Sequence, residues 1–260
     1  ITAEQLFLPA IRESERRETF EQLLAAAEDA GIPVSYIKCG DEIRDSQLRL
    51  LCLHPEENTT LADANAYSEC FYVEVFAKKM KQEAIDDRKA NDASGASAIG
   101  KISILLTGDV EGEGERQLTQ KLQALQESQS LQESQSLQES RSLQESRSLQ
   151  ESQSLQESQS LQLTRRLQEQ RGQREFRVDI LKVAHHGSGY STGTEFLATA
   201  SPATAIISCG RNNSYGHPHA ETLQRLEDAR VPWYGTMDYG ALTVNVDSHG
   251  NRLRGYLRRK

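Results

Sequence analysis

An α/β layered fold is predicted by three observations. Strand-like and helix-like segments alternate from Val178 to a closing hairpin near the end of the chain. Three runs rich in β-branched and apolar residues, 101–106, 178–184 and 205–208, have the composition of buried strands. Each of the three then runs into glycine beside aspartate, histidine or asparagine. One sheet edge thereby collects polar side chains from distant parts of the chain.

Taken in order, residues 1–76 read as an α/β unit. Gln5 to Ile11 is a short apolar strand ending at Pro9. Phe20, Leu23, Leu24 and Ala27 fall at helical spacing within a helix from Glu18 to Ala30, and Gly31 stops it. Val34 to Lys38 is the next strand, with Gly40-Asp41 as its turn. Leu48 to Leu53 and Glu69 to Phe76 form a β pair joined by a polar loop. His54, at a strand end before Pro55, reads as structural. Residues 77–99, charged and then small and polar, read as a surface loop. After Asp109 an acidic helix runs from Glu115 to Gln126. A helix over 163–174 returns to the ligand strand 178–184. A helix from Thr194 to Ala200, a strand 204–208, a loop 209–219 and a helix from His219 to Ala229 follow. Trp233-Tyr234 then leads to the hairpin of Ala241 to Val246 and Leu253 to Leu257. His249 in that hairpin reads as a turn residue.

Between these halves lies a six-residue repeat, LQESQS or LQESRS, with leucines at 125, 131, 137, 143, 149, 155 and 161. Six residues advance a helix by roughly 600°, so successive leucines turn to different faces and make no single stripe. The period is neither a heptad nor an eleven-residue pattern, which argues against a coiled coil. Gln, Glu and Leu favour a helix while Ser weakens it. The segment 126–162 therefore reads as a low-complexity insertion, disordered or loosely helical, with no chemistry of its own.

A length of 260 residues allows one large domain or two small ones. Hydrophobic content is low at 37%, and the repeat accounts for much of the deficit. A net charge of -8 disfavours a general nucleic-acid binder, although the tail carrying Arg252, Arg254, Arg258, Arg259 and Lys260 is basic and Glu111, Glu113 and Glu115 cluster. Neither a signal peptide nor a membrane-spanning run is visible. A first residue of Ile rather than Met reads as a piece of something longer. Cys39, Cys52, Cys70 and Cys209 have no metal-type spacing and read as buried free thiols, with a disulfide open in an oxidising space.

The candidate chemistry lies at three motifs: LLTGD at 105–109, VDILKVAHHGS at 178–188 and ISCGRNNSYGHPH at 207–219. Two adjacent histidines followed by Gly-Ser at a strand end deliver possible metal ligands to the rim of a sheet. Together with LFLPAI, CLHP and NAYS near the front and DYGALTV near the end, these motifs resemble the ComEC family, the membrane proteins of bacterial DNA uptake. The likeness is to the second half of that family's metallo-β-lactamase-fold domain and covers most of the chain outside the two insertions. It implies a metallo-β-lactamase-like αββα sandwich, incomplete at its N-terminus. Residues 1–125 and 163–260 would be its two parts and 126–162 the insertion.

The resemblance implies a site in which a carboxylate bridges two divalent ions, zinc or manganese, that activate water. Asp109 matches the bridging aspartate, against the plainer reading of a turn residue. His185 and His186 supply at least one metal ligand, and which of them does so is left open. Ser188 is either a phosphate donor or a helix cap. His217, fixed between Gly and Pro, contacts phosphate or helps protonate the leaving oxygen. Arg211 and Asn213 hold phosphate oxygens, and His219 is the weaker candidate. Asn65 and Ser68 are either neighbours of the metal site or simple turn residues. The family's first ligand cluster, roughly H-x-H-x-D-H, does not occur in the 260 residues, so the chain alone is expected to bind metal weakly and to be inactive. The family reading makes DNA the partner, together with the membrane channel of the same protein, without a small-molecule cofactor. It places the piece on the outer face of the cell membrane. The alternatives are a non-catalytic DNA-guiding module on the same scaffold and a free-standing hydrolase of a small phosphoester or lactone.

Overall fold

The computed structural model describes residues 3–57, 59–61, 63–76, 101–148, 178–247 and 250–257. The expected surface loop at 77–99, the repeat beyond residue 148, the expected helix at 163–174, His249 and the last three residues of the basic tail lie outside them.

The chain begins with a small parallel pair, β1 (Leu6–Pro9) and β2 (Val34–Ile37), connected through helix α1 (Glu18–Asp29). Gly31, at φ +65, takes the left-handed turn that ends the helix. A seven-stranded sheet follows. Its strands are β3 (Glu42–Arg44), β4 (Leu48–His54), β5 (Cys70–Phe76), β6 (Lys101–Leu106), β7 (Ile180–Lys182), β8 (Thr204–Ile207) and β9 (Trp233–Gly235), paired in that order. The pairs from β3 to β6 are antiparallel and those from β6 to β9 are parallel. Each parallel step crosses over through a helix, as parallel pairing requires. These helices are α2 (Gly112–Ser148), α3 (Thr194–Ala200) and α4 (Ala220–Asp228). A short α5 (Thr236–Tyr239) leads to the antiparallel hairpin of β10 (Leu242–Asp247) and β11 (Gly250–Gly255). The α/β class holds, as a mixed sheet with helices, and residues before and after the insertion build the same sheet.

The core joins both halves. Leu53 and Leu105 from the antiparallel strands pack in one cluster with Leu118 and Leu122 of α2, Leu181, Phe196, Ile207 and Leu226. Strand β3 was not expected, because Gly40-Asp41 reads only as a turn. It forms because Asp45 Oδ1 accepts the amides of Gln47 (2.6 Å) and Leu48 (2.8 Å), folding a tight hairpin onto β4. Arg49 then bonds Glu42 and Glu74, each at 2.9 Å, and Lys101 bonds Glu74, a charge ladder across four strands.

Helix α2 runs farther than the expected 115–126 and enters the repeat. Leu118 and Leu122 are buried, and Gln126 Nε2 donates to Thr199 O at 2.8 Å. Beyond that residue the described side chains face solvent, Leu131 being 64% exposed. A six-residue period spreads its leucines around the helix, so no continuous apolar face exists to bring the helix back onto the body.

Candidate functional site

Three loops at the C-terminal ends of the parallel strands converge. After β6, Thr107 Oγ1 donates to Lys182 O at 2.6 Å and Gly108 turns at φ +53. A Cβ on Gly108 would stand 2.9 Å from Ser68 Cβ, so only glycine lets the chain pass here. Asp109 N then donates to Ser68 Oγ at 3.1 Å, which fixes the backbone of the aspartate.

After β7 the chain does not continue as a strand to 184. His185 (φ 43, ψ 47) and His186 (φ 57, ψ 16) are both left-handed, and Gly187 follows at φ 88. For a residue with a Cβ this conformation costs roughly 1–2 kcal/mol, and two in succession need strong surroundings. These are present. His185 N donates to Gly108 O (3.2 Å), Ser188 N to His185 O (2.9 Å), His219 N to Gly187 O (2.9 Å) and Thr222 Oγ1 to Ser188 O (2.6 Å). The next turn is clamped from two sides. The Arg225 guanidinium donates to the carbonyls of Gly189, Ser191 and Thr192, while the Glu115 carboxylate accepts the amides of Thr192 and Gly193. Desolvation raises the pKa of Glu115, and the two amides oppose that shift.

The side chains delivered this way face one another. His186 Nδ1–H donates to Ser208 O at 2.5 Å, and Nε2 lies 3.7 Å from Asp109 Oδ1. His185 Nδ1–H donates to Glu111 Oε2 at 2.9 Å, and Asn65 Nδ2 donates to the other oxygen of Glu111 at 3.0 Å. Lys182 Nζ donates to Gly108 O at 2.5 Å and lies 3.6 Å from Asp109 Oδ1. Burial lowers its pKa, and Asp109 pulls it back up. The His217 ring is 5.5 Å from that of His185, and 6.3 Å from and nearly parallel to that of His186. Burial first, then the neighbouring imidazoles of His219, His185 and His186, lower its pKa.

The sequence-nominated residues thus divide. Asp109, His185, His186 and His217 come together. Ser188 is buried and turned inward, its hydroxyl 3.5 Å from Glu111 Oε2 and accepting Tyr190 N at 3.3 Å. Asn213 frames the loop by bonding the backbone of Gly210 and both backbone groups of His217. Arg211 is exposed, with Nε and Nη2 on Met237 O at 3.0 and 2.9 Å. His219 starts α4 and ties two loops, accepting Gly189 N on Nδ1 (2.9 Å) and donating from Nε2 to Tyr215 O (3.1 Å). Ser68 and Asn65 lie beside the cluster and also shape their turn. His54 is fully buried, with Nε2 bonded to Ala66 O at 2.6 Å. All four cysteines are free; Cys52 and Cys70 are buried, Cys39 and Cys209 half-buried, and burial pushes the Cys52 thiol up to about 12. Sequence reasoning missed Lys182 and Glu111. The signal for the first was a lone lysine inside an apolar strand, and for the second an acidic residue two positions after Asp109.

The donor chemistry fits a divalent ion only in part. Asp109 Oδ1 and His186 Nε2 are separated as two ligands of one ion would be, and a carbonyl holds the second nitrogen of His186 as a metal-binding imidazole requires. Among the described residues, however, no three His, Cys, Asp or Glu side chains form a group that could hold an ion.

The chain is similar to ComE operon protein 3 of Bacillus subtilis (strain 168), 26% identical over 224 residues, which are 84% of this chain and 19% of that protein. It is also similar to Recombination protein 2 of Haemophilus influenzae (strain ATCC 51907 / DSM 11121 / KW20 / Rd), 38% identical over 69 residues, 26% of this chain and 9% of that protein. The chain therefore spans a small part of the relatives that it matches. No protein-family model matches it. The two relatives support a ComEC-family competence protein. No described helix is long and apolar enough to cross a membrane.

Proposed function

We propose that this ComEC-family competence sequence forms a DNA-handling edge of a longer DNA-uptake protein, meeting the phosphodiester backbone at Asp109, His185, His186 and His217. The observation that carries the reading is the left-handed His185–His186 pair. Backbone strain held by so many hydrogen bonds, with His185 on Glu111 and His186 facing Asp109, favours a site over a packing solution. The reading takes the mixed sheet as part of a metallo-β-lactamase-like αββα sandwich. It places that sandwich on the outer face of the cell membrane, beside the channel of the same protein.

Hydrolysis of DNA belongs to the same proposal. Asp109 and His186 would give two ligands to a divalent ion, zinc or manganese, and the remaining ligands would have to come from outside the described residues. Such an ion supplies Lewis-acid chemistry when bound. His185 is held in place by Glu111. His217, beside the rings of His185 and His186, contacts phosphate and serves proton transfer at the leaving oxygen.

One observation favours a second reading, a DNA-guiding module without catalysis. The Lys182 ammonium stands at the same Asp109 oxygen that faces His186, so this carboxylate has a counter-charge without any ion. Cleavage of labelled DNA by the full-length protein with manganese or zinc separates the two. The hydrolytic reading expects cleavage that Asp109→Ala and His186→Ala each reduce by at least about 100-fold. DNA binding without cleavage under either metal selects the guiding module, and neither binding nor cleavage sinks both.

A further inference from the structure

We propose that Tyr190 and Tyr215 form a stacking platform for unpaired nucleobases, which makes this edge selective for single-stranded DNA; the inference rests on the DNA-handling reading above. Tyr190 is 86% exposed and Tyr215 77% exposed. Rings so exposed bury almost no area, so core packing does not account for them. A single exposed aromatic needs no explanation, but these two belong to one arrangement. They stand on the loops that follow β7 and β8, at the same sheet edge as Asp109. The His219 imidazole bridges the loops. Gly189, next to Tyr190, donates its amide to His219 Nδ1 at 2.9 Å, and His219 Nε2 donates to the carbonyl of Tyr215 at 3.1 Å. This side chain ties the backbone beside Tyr190 to the backbone of Tyr215.

The Tyr215 ring also leads toward the candidate centre. Tyr215 stacks on His217 with centroids 5.8 Å apart and planes 24° apart, and His217 stacks toward His186 at 6.3 Å and 20°. His186 in turn faces Asp109 at 3.7 Å. The result is a flight of three nearly parallel rings from the exposed rim to the carboxylate. A base stacked on the outer end of such a flight would bring the following phosphate inward along it. Duplex DNA keeps its base faces covered by neighbours, and only unpaired bases offer them. Charge contributes little. A chain of net charge -8 gains little from phosphate attraction alone. Stacking is tolerant of sequence, because every base offers a π-face to an aromatic ring.

The test is fluorescence anisotropy of a labelled oligothymidylate and of a hairpin duplex of the same length, titrated with the 260-residue chain at fixed salt. The wild type should bind the single strand more tightly. Tyr190→Ala with Tyr215→Ala should weaken single-strand binding by about 10- to 100-fold and duplex binding by less than about twofold. The pair of Tyr→Phe substitutions, which retains the rings, should bind like wild type. Equal losses on both probes, unchanged single-strand binding in the double alanine variant, or failure of the phenylalanine pair to bind would overturn the platform while leaving the DNA-handling reading in place. A wild-type chain that binds neither probe would overturn both.

Discussion

At the scale of single residues, the site depends on positions where the backbone leaves no choice. Gly187 adopts φ +88, and a Cβ there would sit 2.7 Å from Pro218 Cβ, a rigid neighbour. Gly187→Ala combines left-handed strain with overpacking and should destabilise the fold by roughly 2–4 kcal/mol. Urea unfolding would read this as a lower midpoint at unchanged slope. Glu69 gives a prediction in pH. Burial raises its carboxyl from 4.5 to about 7, and its Oε1 is buried without a hydrogen-bond partner. The fold therefore favours the neutral acid. The stability linked to this group is fully present below the unfolded value of 4.5 and is lost as pH rises through about 7. Glu69→Gln should leave the melting temperature at pH 4 unchanged and raise stability at pH 8. The full shift corresponds to roughly 3 kcal/mol, and partial solvent access reduces the expected gain to roughly 1–2 kcal/mol.

Among the elements, α2 has two functions along one axis. Its first turns close the core with Leu118 and Leu122, while Leu131 is in solvent. Leu118→Ala and Leu122→Ala should each cost about 2–5 kcal/mol, and Leu131→Ala less than about 0.5 kcal/mol; thermal melts of the three variants check the division. The leucine period was enough to exclude a single apolar stripe but not to choose between disorder and a solvated helix. That choice depends on weak propensities, and the helix through Ser148 follows from a start that is anchored in the core. Alternation of apolar residues located β6, β7 and β8 well, since buried parallel strands read as apolar runs. It overextended β7, because strand composition continues to Ala184 while the backbone has already left the ladder at Lys182. Asp109, His185, His186 and His217 were nominated by their motifs and by the resemblance that those motifs carry, and the fold brings the four together. Lys182, Glu111, Glu115 and Arg225 were not, because each acts through a neighbour far away in sequence.

Over the whole molecule, the polar edge follows from topology. Strands β6, β7 and β8 run parallel, so their C-terminal loops open on the same side, where ligands of open α/β sheets commonly bind. The connection between β4 and β5 contributes Ser68 and Asn65 to that same edge. On the proposed reading Asp109 and His186 would offer two ligands, and with no group of three among the described residues the isolated chain should bind zinc weakly, with a Kd above about 10 μM by calorimetric titration. Nanomolar binding would require ligands that the described residues do not provide.

Hydrogen–deuterium exchange of the chain with and without an oligodeoxynucleotide tests the central claim most directly. Protection should appear at 107–111, 184–190 and 211–219, and His186→Ala should reduce it. Protection confined to α1 or the β10–β11 hairpin, or no protection while DNA is bound, would contradict the assignment of DNA handling to this edge.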